Sequence, residues 1–174
     1  MLALFVALTL LAPAHSRSEG KSSFSLDEAG RVAISIQLSD ADLPELCNVD
    51  FTVPDRTRAE AELSRCLEQG LAGWLRLNGD GHPCPVAYLR WRPRERTITV
   101  EAEARCAAMP RQLVLDWGLF AGGALDNVSV ALLEQPHAKP RMVLLSKRSS
   151  RFVLEVARPW WPLAVGAGAL LLLA

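Results

Sequence analysis

One ten-residue stretch constrains this fold more than any other. In Thr97–Cys106, TITVEAEARC, the residues Ile98, Val100, Ala102, Ala104 and Cys106 fall on one side, and Thr97, Thr99, Glu101, Glu103 and Arg105 on the other. A period of two is the pattern of a β-strand with one buried and one wet face. The stretch closes a longer segment, Gly73–Cys106, that reads as three consecutive antiparallel strands. Asn78-Gly79-Asp80-Gly81 supplies the first turn, with residues that tolerate positive φ. Arg94-Glu95, after Pro93, supplies the second. Cys84 opens the strand before the one that ends at Cys106, so a Cys84–Cys106 bond would staple the unit.

The flanking segments read as additions to this sheet. Arg17–Ser25 is polar until it joins a strand, and Asp27-Glu28-Ala29-Gly30 is a turn. Arg31–Leu38 is a strand with Val32, Ile34, Ile36 and Leu38 inward. Ser39-Asp40 caps a short turn or helical piece, Ala41–Leu46, and Cys47–Pro54 is extended or loop. Asp55–Gly70 carries the signals of a helix: Asp55 or Thr57 as N-cap, Gly70 at the C′ position, and Ala59, Leu63, Cys66 and Leu67 on one face.

Beyond the central stretch, Gln112–Trp117 sets Leu113, Leu115 and Trp117 on one face, and Gly118–Leu125 is a loop. Asn127–Leu133 is expected to point Val128, Val130 and Leu132 inward. Pro136–Pro140 is a turn. Arg141–Lys147 and Arg151–Val156 form a hairpin around Arg148-Ser149-Ser150, with Phe152, Leu154 and Val156 on one face. Short strands recurring every 8–12 residues or about that indicate a β-sandwich. The expected fold is therefore mainly β: an antiparallel β-sandwich-like domain with one inserted helix at about residues 55–70.

The two ends of the chain inflate its apolar content. Leu2–Leu11 has the length of a signal-peptide core, although no Lys or Arg precedes it. Small residues place cleavage after Ala14, or after Ser16. Near the other end, Arg158-Pro159-Trp160-Trp161-Pro162 leads into Leu163–Ala174, which carries no charge. Trp160 and Trp161 fit a membrane-interface belt. The apolar run falls short of the about 20 residues that a span requires, which leaves both a tail anchor and the first part of a longer helix open. The layout is a signal peptide at 1–14, an extracytoplasmic domain at 15–157 and a membrane anchor or start of a transmembrane helix at 158–174.

Four cysteines behind a signal sequence favour disulfides over metal thiolates. Three connectivities are possible and sequence does not choose among them; the local one, Cys47–Cys66 with Cys84–Cys106, closes two local loops. No Cys-x-x-Cys spacing occurs, which argues against a zinc ribbon or a thioredoxin-type redox site. The formal net charge is zero, so nothing in the overall field points to nucleic acid.

Chemistry is sparse. The three histidines are His15, His82 and His137. After cleavage at Ala14, His15 becomes the mature N-terminus, and its α-amine and imidazole can chelate one divalent metal, Ni, Cu or Zn. A polar residue at a free terminus is the plainer account. His82 and His137 sit beside prolines in polar turns and read as surface residues. Glu101 and Glu103 resemble a carboxylate pair, but alternating charge on a wet strand face explains them better. Trp74, Trp91 and Trp117 read as packing residues before they read as a ligand patch. Asn127-Val128-Ser129 matches a glycosylation sequon. No Gly-x-Ser-x-Gly elbow and no Gly-rich phosphate loop is present, so the chain is expected not to be an enzyme and to require no cofactor beyond that candidate metal.

The order of features resembles the extracytoplasmic N-terminal region of hydrogenase/urease accessory (HupE/UreJ-type) membrane proteins. The residues that carry the likeness are Ala14-His15-Ser16-Arg17-Ser18, Gly79-x-Gly-x-Pro-Cys84-Pro85, Arg105-Cys106 and Leu113–Phe120, LVLDWGLF. The likeness spans roughly Ala14–Val156 and is one of order and spacing. It implies a bacterial envelope protein, exported and periplasmic, linked to nickel or a similar metal. In that family transport is expected in a multi-helix membrane domain, which lies outside this sequence. The resemblance thus implies a non-enzymatic accessory domain of a metal uptake or supply system, held at the membrane by its C-terminal segment. Its partner would be a multi-helix transport domain or another envelope protein. The competing expectation is an exported structural or protein-interaction module with no metal role.

Overall fold

The computed structural model describes residues 19–49, 56–119 and 128–157. The expected signal peptide and membrane segment, with His15, Trp160 and Trp161, lie outside the described residues. The chain runs β1 (Glu19–Leu26), β2 (Arg31–Ser39), a 3-10 turn (Asp40–Asp42), α1 (Leu43–Cys47), α2 (Arg56–Trp74), β3 (Leu75–Gly79), β4 (His82–Cys84), β5 (Val86–Arg94), β6 (Thr97–Arg105), β7 (Gln112–Trp117), β8 (Val128–Glu134), β9 (Arg141–Leu145) and β10 (Arg151–Glu155). The strands form two sheets, one in the order β5-β6-β2-β1-β8-β9 and the other β10-β7-β3-β4. The fold is therefore mainly β, as the alternation predicts. Among the described residues no helix is long and apolar enough to cross a membrane.

The alternating strands do what their pattern dictates. Val32, Ile34, Ile36 and Leu38 of β2 are all buried, opposite Ala104, Ala102, Val100 and Ile98 of β6. Phe24 of the first sheet meets Trp117 of the second edge to face, with ring centroids 6.0 Å apart, so one core lies between the sheets. The second sheet is two strands narrower than the first, and α2 extends its layer. Ala59, Leu63, Leu67 and Leu71 are buried, and Trp91 of β5 donates its indole N–H to Ser64 Oγ at 2.9 Å. Leu71 and Trp74 share one small gap with Ile36, Leu38 and Val100 of the first sheet and Leu75 and Trp117 of the second.

Turn chemistry fixes the hairpins. Asp27 accepts from the backbone N–H groups of Ala29 and Arg31, at 2.9 and 2.8 Å, and from Arg31 Nε at 2.7 Å. These donors, the Arg31 backbone N–H foremost, hold its carboxyl below the usual carboxylate range. Asp80 and Gly81 have φ of 51° and 84°, the signature of a two-residue turn that twists with its strands. The Asp80 carboxylate also accepts from the N–H groups of Arg111 and Gln112, at 3.0 and 2.9 Å, which ties the turn to the start of β7.

Several expectations are corrected. The expected three strands of Gly73–Cys106 are four and do not share a sheet: β3 and β4 pair in the second, β5 and β6 in the first. Pro85 stands at the crossing, where a residue without an N–H suits a break in the ladder. The helix does not stop at Gly70 but runs to Trp74. A Cβ at Gly70 would overlap the Trp74 ring, so this glycine makes room for an aromatic one turn later instead of ending the helix. A second helix, α1, lies where a short helical piece was expected and ends at Asn48 with φ 51°. β9 and β10 are not a hairpin. They belong to different sheets, joined through a tight corner in which Ser146 and Ser149 exchange backbone hydrogen bonds. The pairing is not purely antiparallel either, because β1 and β8 run parallel. Their long connection carries no hairpin constraint.

The most consequential correction concerns β8. Ser129, Ala131 and Leu133 are its buried face, and Val130 is 42% exposed. The register with β1 decides this: Gly20, Ser22 and Phe24 face the core, and Ser129, Ala131 and Leu133 stand beside them. Buried Ser22 and Ser129 satisfy each other through a 3.2 Å hydroxyl contact. Ser129→Ala is expected to cost about 1–3 kcal/mol, because it leaves the Ser22 hydroxyl buried without this partner. The double variant Ser22→Ala, Ser129→Ala should cost less than that single change. Urea melts of the four proteins form the cycle, and simple additivity of the two single costs would refute the pairing.

Candidate functional site

The first sheet, six strands against four, presents its outer face as a regular array. Reading across β6, β2, β1, β8 and β9, one row is Thr99, Gln37, Lys21, Val130 and Leu144, and the next is Glu101, Ser35, Ser23, Leu132 and Met142. The face is polar from β6 to β1 and turns apolar at β8 and β9. Met142 is 78% exposed and Leu144 59% exposed. The inward side of the same edge is closed differently: Leu145 is buried, and the Arg141 guanidinium lies 5.6 Å from the centre of the Phe152 ring. Arg141-Met142-Val143-Leu144-Leu145 thus presents apolar side chains on both faces of an edge strand. Proteins ordinarily avoid that unless something covers the outer face.

Basic residues frame the strip. Lys21 stands directly beside Val130. Lys139 precedes β9, Lys147 and Arg148 form the turn after it, and residues 137–151 contain no Asp or Glu. Lys21, Lys139, Lys147 and Arg148 are exposed and make no ion pair among the described residues.

A cleft of about 260 Å³ lies between the start of α2 and the β5–β6 hairpin. Asp40, Arg56, Glu60, Trp91, Glu95 and Thr97 are among its lining residues. Arg56 Nε pairs with Glu60 Oε1 at 2.9 Å within its wall.

The residues singled out by sequence take the following places. Cys47 is bonded to Cys66 and Cys84 to Cys106. The first bond ties α1 to α2; the second joins the end of β4 in one sheet to the end of β6 in the other. Two disulfides are the usage of chains that fold in an oxidising compartment. His82 is exposed on β4. His137 sits in the β8–β9 loop with φ 58°, its Nε2 3.2 Å from Glu28 Oε1. Among the described residues no group of three or more His, Cys, Asp and Glu is placed to hold a metal ion. Glu101 pairs with Arg90 and Arg92, and Glu103 with Arg105, so both carboxylates belong to exposed ion pairs of small energetic weight. Trp117 is core, and Trp74 and Trp91 pack partly buried against it. Tyr88 packs there too, and burial pushes its hydroxyl above the usual phenol range. The Ser129 hydroxyl of the sequon is buried, and Asn127 lies outside the described residues.

The apolar strip was missed by reading the sequence, because Val130 and Leu132 look like core. The signal that could have found it is MVLL in β9, a four-residue apolar run bracketed by Pro140-Arg141 and Lys147-Arg148, in which alternation fails. No protein-family model matches this chain, and no curated protein does.

Proposed function

We propose that this chain is a non-enzymatic, extracytoplasmic accessory domain, tethered to a membrane through its C-terminal segment and serving a metal uptake or supply system of the nickel type. The observation that carries the extracytoplasmic part is the pair of disulfides, which a reducing compartment would not maintain. The tether is supported by Trp160, Trp161 and the uncharged run Leu163–Ala174, which follow the last strand closely. The metal role is supported by the HupE/UreJ-like order of features and by His15 as the mature N-terminal residue. There the α-amine and imidazole would bind one divalent ion and take no part in a reaction.

The deciding experiment is intact mass and N-terminal sequencing of the exported protein purified without reductant, followed by titration with Ni(II), Cu(II) and Zn(II). A start at His15, a mass lower by the hydrogens lost in forming both disulfides, and saturable one-to-one binding that is abolished by acetylating the N-terminal amine are expected. A different start with no binding removes the metal role.

The second reading, an exported protein-interaction module without metal, is favoured by the apolar strip of exposed Val130, Met142 and Leu144 with half-buried Leu132. In that case the titration is flat, and the chain is recovered with another envelope protein whose retention depends on those side chains.

A further inference from the structure

We propose that the outer face of β8 and β9 rests on the lipid headgroups of the membrane to which the chain is tethered. The inference rests on the tether reading given above and adds to it the surface by which the domain lies down.

Three observations converge on lipid as the occupant. Val130, Leu132, Met142 and Leu144 form a contiguous apolar strip on a face that is polar from β6 to β1, with Met142 and Leu144 the most exposed of the four. Cations that make no ion pair among the described residues surround it: Lys21 beside Val130, Lys139 before β9, and Lys147 and Arg148 after it. Apolar side chains that enter the headgroup boundary, ringed by Lys and Arg that meet lipid phosphates, form the composition of a peripheral membrane surface. Each basic side chain near an anionic bilayer strengthens attachment roughly fivefold. The third observation is where the described chain ends. The Ala157 N–H donates to Gln135 Oε1 at 3.0 Å, which fixes the exit point at the foot of the β8–β9 hairpin, beside the end of the strip that carries Leu132 and Met142. The next residues are Arg158-Pro159-Trp160-Trp161. A tether that leaves from this corner holds the strip at the bilayer and not the β5–β6 end of the same sheet. A second copy of the chain fits less well, because two such edges would bring two sets of these cations together.

The test uses the full chain reconstituted into vesicles of phosphatidylcholine with phosphatidylglycerol. A benzophenone amino acid replaces Met142 or Leu144, and Gln37 or Thr99 as controls on the polar end of the face. After illumination, lipid adducts are expected at the first two positions and not at the controls. Their yield should fall several-fold in phosphatidylcholine alone, and several-fold again for a probe at Val130 when Met142→Glu and Leu144→Glu are combined. Circular dichroism and the intact mass of both disulfides check that this variant folds. Adducts to a second copy or to another protein, equal yield at the control positions, or no adduct at all would overturn the proposal. Carbonate washing of an unilluminated sample reads the tether separately. A chain that stays with the vesicles but gives no lipid adduct loses the docking surface and keeps the tether. A chain that washes off loses the tether.

Discussion

Replacing Trp117 with alanine is expected to destabilise the domain by about 4 kcal/mol, the cost of emptying a large aromatic from a packed core. Trp117 is 2% exposed, stands edge-on to Phe24 across the sheets, and closes the gap that Ile36, Leu38, Leu71, Trp74 and Leu75 line from three directions. The gap is lined by both sheets and α2, so the surroundings cannot collapse around the void without moving a whole layer. Against a typical total stability of about 5–15 kcal/mol, the variant should be part-unfolded at modest urea concentrations. Trp117→Phe, which keeps an aromatic ring there, should cost clearly less. Met142→Ala, at an exposed position, should stay within about 0.5 kcal/mol of the parent. Urea titration followed by far-ultraviolet circular dichroism separates the three. A Trp117→Ala midpoint close to the parent's would mean that the two sheets and the helix do not share one core.

The second large effect concerns the disulfide that joins the sheets. Removing Cys84–Cys106 by Cys84→Ala with Cys106→Ala is expected to cost more than removing Cys47–Cys66 in the same way. The sequence separations are 22 and 19, so the loop-closure contribution is nearly the same, about 3 kcal/mol for each bond. What differs is the native surroundings. Cys84 is 3% exposed and tethers β4 to the far end of β6, whereas Cys47 and Cys66 are only half-buried on α1 and α2. The Cys84–Cys106 variant therefore loses core packing as well as chain restraint. Chemical denaturation of each double variant, with mass spectrometry to confirm that the other bond is intact, measures the difference. Equal losses would show that the bonds act only on the unfolded chain.

What was legible in the sequence was local. The alternation of Arg31–Leu38 and Thr97–Cys106 found two central strands and their buried faces, because a period of two is a property of neighbouring residues. The turn at Asp80-Gly81 and the core of α2 were legible for the same reason. Sheet membership was not. Nothing within Gly73–Cys106 says that β3 and β4 leave the company of β5 and β6 at Pro85, or that β10 deserts β9 after a four-residue corner. Those outcomes depend on partners far along the chain. β8 is the sharpest case. Its alternation was read correctly as a strand but in the wrong phase, because Val130 and Leu132 are more apolar than Ser129 and Ala131. Only the parallel register with β1, where Ser22 meets Ser129, sets which face is inward. The candidate surface went unread because it depends on that phase.

The order in which the cysteines pair has a consequence for biogenesis. The bonds join first to second and third to fourth along the chain, so neither loop encloses or crosses the other. A chain that emerges N-terminus first from a membrane pore offers Cys47 and Cys66 together before Cys84 appears. An oxidant that links thiols as they arrive then produces the native set directly, with no bond to be undone by an isomerase. Both bonds can close before β7 to β10 have emerged. β1, however, must wait at the open side of the half-built sheet until β8 arrives to cover it.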